Sequence, residues 1–183
     1  MQNILFLLMD GFEEIEAVIP IDILRRMKFN VVTAGINNTV TGAHQLKFET
    51  DTLISNINCK KFDALVLPGG MPGSKNLRDS DEVINIIQSM YKENKLIAAI
   101  CAAPIALAKT GIMNDITCTA YPMPLTAKAL ESANLTENQV EKDGNIITGK
   151  GPGAAFAFAF KIASALGKEK EATELKKLMF IAS

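Results

Sequence analysis

The chain has 183 residues, 48% of them hydrophobic and 21% charged, with a formal net charge of -1. That suits one domain with its own core, and it argues against disordered, collagen-like and disulfide-stapled classes. The near-neutral charge, with no basic stretch, leaves no footprint for nucleic acid, and the longest apolar runs (Ile4–Met9, Leu96–Ile100) are far too short to cross a bilayer.

No basic segment or cleavage site precedes the first apolar run, so a cytoplasmic setting is expected. Three cysteines, Cys59, Cys101 and Cys118, are an odd number without metal-ligand spacing. Free thiols are expected in place of a disulfide framework, with neither a metal nor a cofactor.

In chain order, Asn3–Met9 has too little alternation for a half-exposed strand and reads as a strand buried on both faces. Asp10-Gly11 breaks it, and a helix follows over Glu13–Met27, with acids in its first turn and Pro20 inside it, where a kink or tightened turn is expected. Phe29–Ala34 reads as a strand, residues 37–54 as a hairpin or edge strands, and Phe62–Leu67 as a buried strand ending in Pro68-Gly69-Gly70. A helix capped by Asp79 or Ser80 runs to about Glu93, then a buried strand over Leu96–Ile100, then Cys101 and a helix of small residues over Ala103–Lys109. Ile116–Thr119 suggests a further strand. Gln139–Thr148, with Asp143-Gly144 at its centre, suggests a hairpin with a type I′ turn. Gly151-Pro152-Gly153 opens an apolar helix to about Leu166, and an amphipathic helix follows. The alternation predicts a mostly parallel sheet with helices on both faces, a single domain over 1–183, and a ligand site beyond the carboxyl ends of the strands.

Three punctuation points fall there: Asp10-Gly11, Pro68-Gly69-Gly70 and Cys101-Ala102. Cys101 is flanked by Ala98, Ala99, Ala102 and Ala103, which permit the cramped backbone of a nucleophile elbow. The start of the next helix would lower its thiol pKa; the alternative is a buried, inert cysteine. The chain has one histidine, His44, well before Cys101, so a Cys-His pair with the histidine downstream cannot form. A carboxyl is then the candidate partner. Glu16 lies on the margin of a buried stripe, since Pro20, Ile23 and Met27 follow it by four, seven and eleven residues. Burial would raise its pKa and let it move a proton. Glu13 and Glu14 read as acids favoured by the helix dipole. Gly69 and Gly70 form either a plain turn or, with the Ala102 amide, an oxyanion hole. Gly144-x-x-x-x-Gly149-Lys150 falls short of a phosphate-binding loop, because Gly151 stands where Ser or Thr is needed.

Glu13-Glu14-Ile15-Glu16-Ala17-Val18-Ile19-Pro20-Ile21-Asp22, Leu67-Pro68-Gly69-Gly70, Ala98-Ala99-Ile100-Cys101-Ala102-Ala103-Pro104 and Gly151-Pro152-Gly153 together resemble the ThiJ/PfpI superfamily, and within it the Parkinson-associated protein deglycase (DJ-one-like) branch. The resemblance implies a flavodoxin-like three-layer sandwich, usually a homodimer. It places Cys101 at the elbow beside a protonated Glu16, with the Gly70 and Ala102 amides around the sulfur. It also implies ready oxidation of Cys101 to a sulfinic acid. Two departures are visible: Ala102 stands where the protease-like branch has a histidine, and Tyr121 where some members bring a histidine to the thiol. Tyr121 is therefore a candidate pocket residue; His44 reads as a surface or loop residue, with a place in the pocket as the alternative. The implied function is cofactor-free deglycase or glyoxalase chemistry on α-oxoaldehydes such as methylglyoxal and glyoxal, or on their protein adducts, under oxidative and carbonyl stress. The alternative is a redox-sensing holdase switched by Cys101 oxidation.

Overall fold

The computed structural model describes residues 1–181. Its centre is a seven-stranded sheet. The first strand, β1 (Asn3–Leu8), is followed by α1 (Glu14–Arg26) and β2 (Asn30–Gly35). A small antiparallel pair, β3 (Thr39–Thr41) and β4 (Lys47–Glu49), precedes the two-residue β5 (Thr52–Leu53). Then come β6 (Ala64–Leu67), α2 (Gly73–Asp79), α3 (Asp81–Lys92), β7 (Leu96–Ile100) and α4 (Pro104–Lys109). Short β8 (Thr117–Cys118) and β9 (Asn134–Leu135) pair with each other on either side of α5 (Pro124–Ala129). The described elements end with β10 (Val140–Asp143), β11 (Ile146–Gly149), α6 (Ala155–Ala165) and α7 (Glu169–Leu178).

The strand order β10-β11-β7-β6-β1-β2-β5 contains the run β2-β1-β6-β7-β11, all parallel. Counted along the chain, that run is the 2-1-3-4-5 order of a flavodoxin-like fold. The direction of winding reverses between β1 and β6, so the crevice beyond their carboxyl ends is the expected ligand position. Alternation along β1 shows both faces covered. Ile4, Phe6 and Leu8 enter the core formed with α1 and α6, whereas Leu5 and Leu7 enter the core formed with α3 and α4. None of the described helices is long and apolar enough to cross a membrane.

The structure meets some of these expectations and corrects others. Helix α1 runs unbroken through Pro20, whose missing N–H deprives the Glu16 carbonyl of its helical donor. The segment after Gly70 holds α2, which was not expected, while α3 begins at Asp81 under the expected Ser80 cap, whose hydroxyl accepts from the Val83 N–H. Residues 37–54 contain the expected hairpin, β3–β4, and an edge strand, β5, that joins β2 in parallel. In the β10–β11 turn only Gly144 has positive φ (54°), at the first central position. That fits type II′, since type I′ needs both central residues there.

Phe158 on α6 is fully buried against the sheet, and the fit is tight enough that a Cβ on Gly149 would lie 3.1 Å from its ring. Phe158→Ala should therefore lower unfolding free energy by about 3–5 kcal/mol in urea titration. Phe156→Ala, at a position 37% exposed on the same helix, should cost far less.

Candidate active site around Cys101

Strand β7 stops at Ile100, and Cys101 turns the chain with φ at 64°, a left-handed conformation that costs energy for a residue with a Cβ. The turn is pinned from two sides. The Cys101 N–H donates to the Gly149 carbonyl at 2.8 Å, and the Cys101 carbonyl accepts from the Tyr121 N–H at 2.9 Å. The neighbours Ala98, Ala99, Ala102 and Ala103 are all buried and small enough for this approach. Cys101 is 8% exposed.

Glu16 comes from α1, at the crossover between β1 and β2. Glu13 caps that helix, its Oε2 accepting the Glu16 N–H at 2.8 Å. The Glu16 side chain is fully buried. Its Oε2 accepts the Gly69 N–H at 2.8 Å, while Oε1 has no hydrogen-bond partner of regular geometry. The Cys101 thiol lies close enough to make a weak hydrogen-bonding contact with this carboxyl. A Cβ at Gly69 would sit 2.5 Å from Glu16 Oε2 and 2.6 Å from Cys101 Cβ, so only glycine lets the three segments meet. The sequence reading grouped Gly69 with the donors around the sulfur, but its N–H is engaged by Glu16. The amides aimed at the sulfur are those of Gly70, at φ 90°, and Ala102.

Burial pushes the Glu16 carboxyl up from 4.5 to about 7, with the Glu13 charge adding to the rise and the contacts to Cys101 and Gly69 opposing it. Burial, and then the adjoining Glu16 carboxyl, also push the Cys101 thiol up; the Gly70 and Ala102 N–H groups pull it down without outweighing them. This reverses the sequence expectation of a thiol lowered by the following helix. Helix α4 has only six residues, and the sulfur is shielded from water. Of the two buried acids, Glu16 therefore gives up its proton more readily than the Cys101 thiol.

The other two thiols stand apart. Cys118 is fully buried, and burial, with Glu141 and Asp143 nearby, pushes it up to about 11. Cys59 lies in a 3₁₀ turn with its Sγ 3.4 Å from Ser89 Oγ. Tyr121, three residues past β8, donates its N–H to the Cys101 carbonyl, and its ring covers Gly151 at 3.3 Å from where a Cβ would be.

His44 sits in the loop between β3 and β4 with its side chain largely exposed. Its partners are Glu14, at 2.8 Å from Nδ1 to Oε2, and Glu13, at 4.0 Å, not Cys101. The Glu14 hydrogen bond holds the imidazole above its ordinary pKa. Burial would raise the Glu14 carboxyl, but the hydrogen bonds from His44 and Leu46 leave it below its ordinary value. Among the described residues, Glu13, Glu14 and His44 are the group whose ligand-type atoms lie within 4.8 Å of one another. The sequence reading passed over Glu13 and Glu14 as dipole acids, since a partner thirty residues away leaves no periodic signal. It also passed over Thr148, whose buried hydroxyl accepts the Thr119 N–H at 2.9 Å and steadies the segment leading to Tyr121.

A buried sulfur beside a carboxyl near neutrality, with two amides at the sulfur, is suited to adding a thiol to a carbonyl carbon and moving protons around it. The DJ-1/PfpI family model matches residues 2–165. Protein dj-1beta of Drosophila melanogaster is 37% identical over 183 residues, covering 99% of this chain and 98% of that protein. Its crystal structure superposes with a TM-score of 0.94 at 36% identity, covering 100% of this chain and 99% of that one. A Caenorhabditis elegans relative named glutathione-independent glyoxalase DJR-1.2 is 34% identical over 168 residues, covering 91% of this chain and 89% of that protein. The structure of oxidized Toxoplasma gondii DJ-1 matches with a TM-score of 0.92 at 30% identity, covering both chains fully. With its fold, its four motifs and nearly its whole length in agreement, the chain belongs to the DJ-1/PfpI family.

Proposed function

We propose that this protein is a cofactor-free glyoxalase or deglycase that converts small α-oxoaldehydes, or their adducts on protein nucleophiles, into 2-hydroxy acids. The observation that carries the reading is a fully buried carboxyl, raised to about 7, packed against the Cys101 sulfur. A base poised near neutral pH is what the two proton transfers require. The glyoxalase named among the relatives supports the same chemistry.

In this scheme the Glu16 carboxylate takes the thiol proton as sulfur bonds to the aldehyde carbon. That proton passes to the new oxygen, giving a hemithioacetal. In this scheme the Gly70 and Ala102 amides, which face the sulfur, stabilise the charge developing on that oxygen. Glu16 then removes the hydrogen from the sulfur-bearing carbon and returns it to the neighbouring carbonyl carbon, while the hydroxyl proton moves to the second oxygen. The hemithioacetal thereby becomes a thioester with no net oxidation. Water adds to the thioester, the carbon–sulfur bond breaks, and the 2-hydroxy acid leaves with the thiol restored.

A second reading draws on the oxidized Toxoplasma relative. Here Cys101 is oxidised by peroxide to a sulfinic acid, and the change alters binding to client proteins. In this reading the Gly70 and Ala102 amides and a protonated Glu16 hold the added oxygens.

Incubation with methylglyoxal should yield lactate above the buffer rate, rising with pH through about 7 as Glu16 ionises. Cys101→Ala should abolish the activity, and Glu16→Gln should reduce it on the order of 10²-fold or more. No lactate above buffer from the unmodified protein removes the enzymatic reading. The folded state retains a Glu16 proton that the unfolded chain loses near pH 4.5, so this group's support for the fold is complete below that pH and disappears as pH rises through about 7. Unfolding free energy should accordingly fall by about 3 kcal/mol across that window relative to Glu16→Gln; parallel profiles for the two proteins would refute the assignment. Mild peroxide should add two oxygens to the peptide holding Cys101 while Cys59 and Cys118 stay reduced. Equal oxidation of all three thiols would count against the redox reading.

A further inference from the structure

The segment that carries Tyr121 lies outside the main sheet, yet the main sheet holds it by a row of regularly spaced bonds. Strand β8 pairs with β9, and residues 119–121 belong to no strand. Every second N–H along this stretch nevertheless points at the sheet, with the period of a strand. Thr117 donates to Asp143 Oδ2 at 2.8 Å, Thr119 to Thr148 Oγ1 at 2.9 Å, and Tyr121 to the Cys101 carbonyl at 2.9 Å. In the first two rungs a side-chain oxygen from β10 or β11 stands in for the carbonyl of a neighbouring strand. The third rung is the turn at Cys101 itself.

The middle rung has no substitute. Thr119 and Thr148 are 0% and 1% exposed, so bulk water cannot take the place of the Thr148 hydroxyl. The Thr119 hydroxyl has no hydrogen-bond partner among the described residues, which leaves its N–H as the polar tie at this point. Thr148 is followed by Gly149, whose carbonyl accepts the Cys101 N–H at 2.8 Å. Two consecutive residues at the end of β11 therefore hold Cys101 from both sides. Gly149 does so directly at the N–H, and Thr148 does so through Thr119 and Tyr121 at the carbonyl. A residue with a Cβ at φ 64° needs such restraint, because a strained backbone persists only where its surroundings over-determine it.

We infer that Thr148 is a positioning residue for Cys101: its hydroxyl, acting through the Thr119 N–H and Tyr121, keeps the elbow in the left-handed conformation that presents the sulfur to Glu16. The inference deepens the proposed glyoxalase or deglycase reaction and rests on that reading for its activity arm. Being fully buried, Thr148 acts on the chemistry through geometry and not by touching substrate. Valine at this position keeps the branched shape but offers no acceptor, so the Thr119 N–H is left buried and unpaired. The segment then withdraws from the sheet, the Tyr121 bond to the Cys101 carbonyl weakens, and the turn relaxes. The sulfur thereby loses its alignment with the carboxylate that takes its proton.

The test compares Thr148→Val with Thr148→Ser, which keeps the hydroxyl. By hydrogen-exchange NMR the Tyr121 amide should exchange at least about tenfold faster in Thr148→Val, while the Phe6 amide in β1 keeps its protection. Iodoacetamide should alkylate Cys101 at least about threefold more slowly at neutral pH. With methylglyoxal, kcat should fall at least about tenfold while KM stays within about threefold. Thr148→Ser should restore all three, and Thr148→Ala, which removes the same acceptor, should repeat the losses. If the unmodified protein makes no lactate, the proposed reaction falls, and exchange and alkylation still decide the positioning role. Unchanged Tyr121 exchange and Cys101 alkylation in Thr148→Val would overturn the assignment. So would equal losses in Thr148→Ser, or exchange that quickens as much at Phe6 as at Tyr121.

Discussion

Three segments meet at Gly69, at the end of β6, with no space for a methyl group between them. A Cβ there would collide with the Glu16 carboxyl, with Cys101 Cβ, and at 2.8 Å with the Ile100 carbonyl. This steric limit fixes the distance between the acid on α1 and the sulfur after β7. It follows from the winding order, since β6 lies between β1 and β7 and its outgoing loop must pass between their ends. Gly70, at φ 90° and pressed against the Gly11–Glu13 backbone, sends its amide toward the sulfur for the same reason.

Crowding two acids into one dry space has an energetic consequence. Water is excluded from both, and each anion disfavours the other, so the carboxyl and the thiol both hold their protons more tightly than when free. The pair behaves as a single acid that readily carries one negative charge and resists two. Such an arrangement is better suited to passing a proton between carbon, oxygen and sulfur than to displaying a permanent anion. The left-handed backbone at Cys101 adds strain that the surrounding sheet must hold in place.

How much of this was legible in the sequence depended on the range of the interaction. The strands of the parallel core read as unbroken apolar runs because helices cover both their faces, and they were placed within a residue or two. Helix α2 was missed because GSKNLRD offers no apolar stripe and, of its larger side chains, buries only Leu77. Helix α5, six residues beginning with proline, is too short for periodicity to declare itself. Cys101 could be singled out from its alanine flanks, and Glu16 from the apolar positions following it at helical intervals. The direction of the thiol's pKa was misjudged, because spacing reveals where a helix starts but not how thoroughly the fold excludes water from the atom before it. The bond from Glu14 to His44 spans thirty residues and two turns, and nothing local encodes it.

The two rims of the sheet bear on how copies of the chain behave in a crowded solution. On one side β5 is only two residues long, too brief to template another strand. On the other, β10 reads VEKD, placing Glu141, Lys142 and Asp143 along the border where a foreign strand would have to align. A buried parallel core rich in valine, leucine and isoleucine is the kind of surface that seeds fibrillar growth when its borders are long and apolar. Here a stub guards one border and a row of charges the other, so the sheet terminates within the chain that made it.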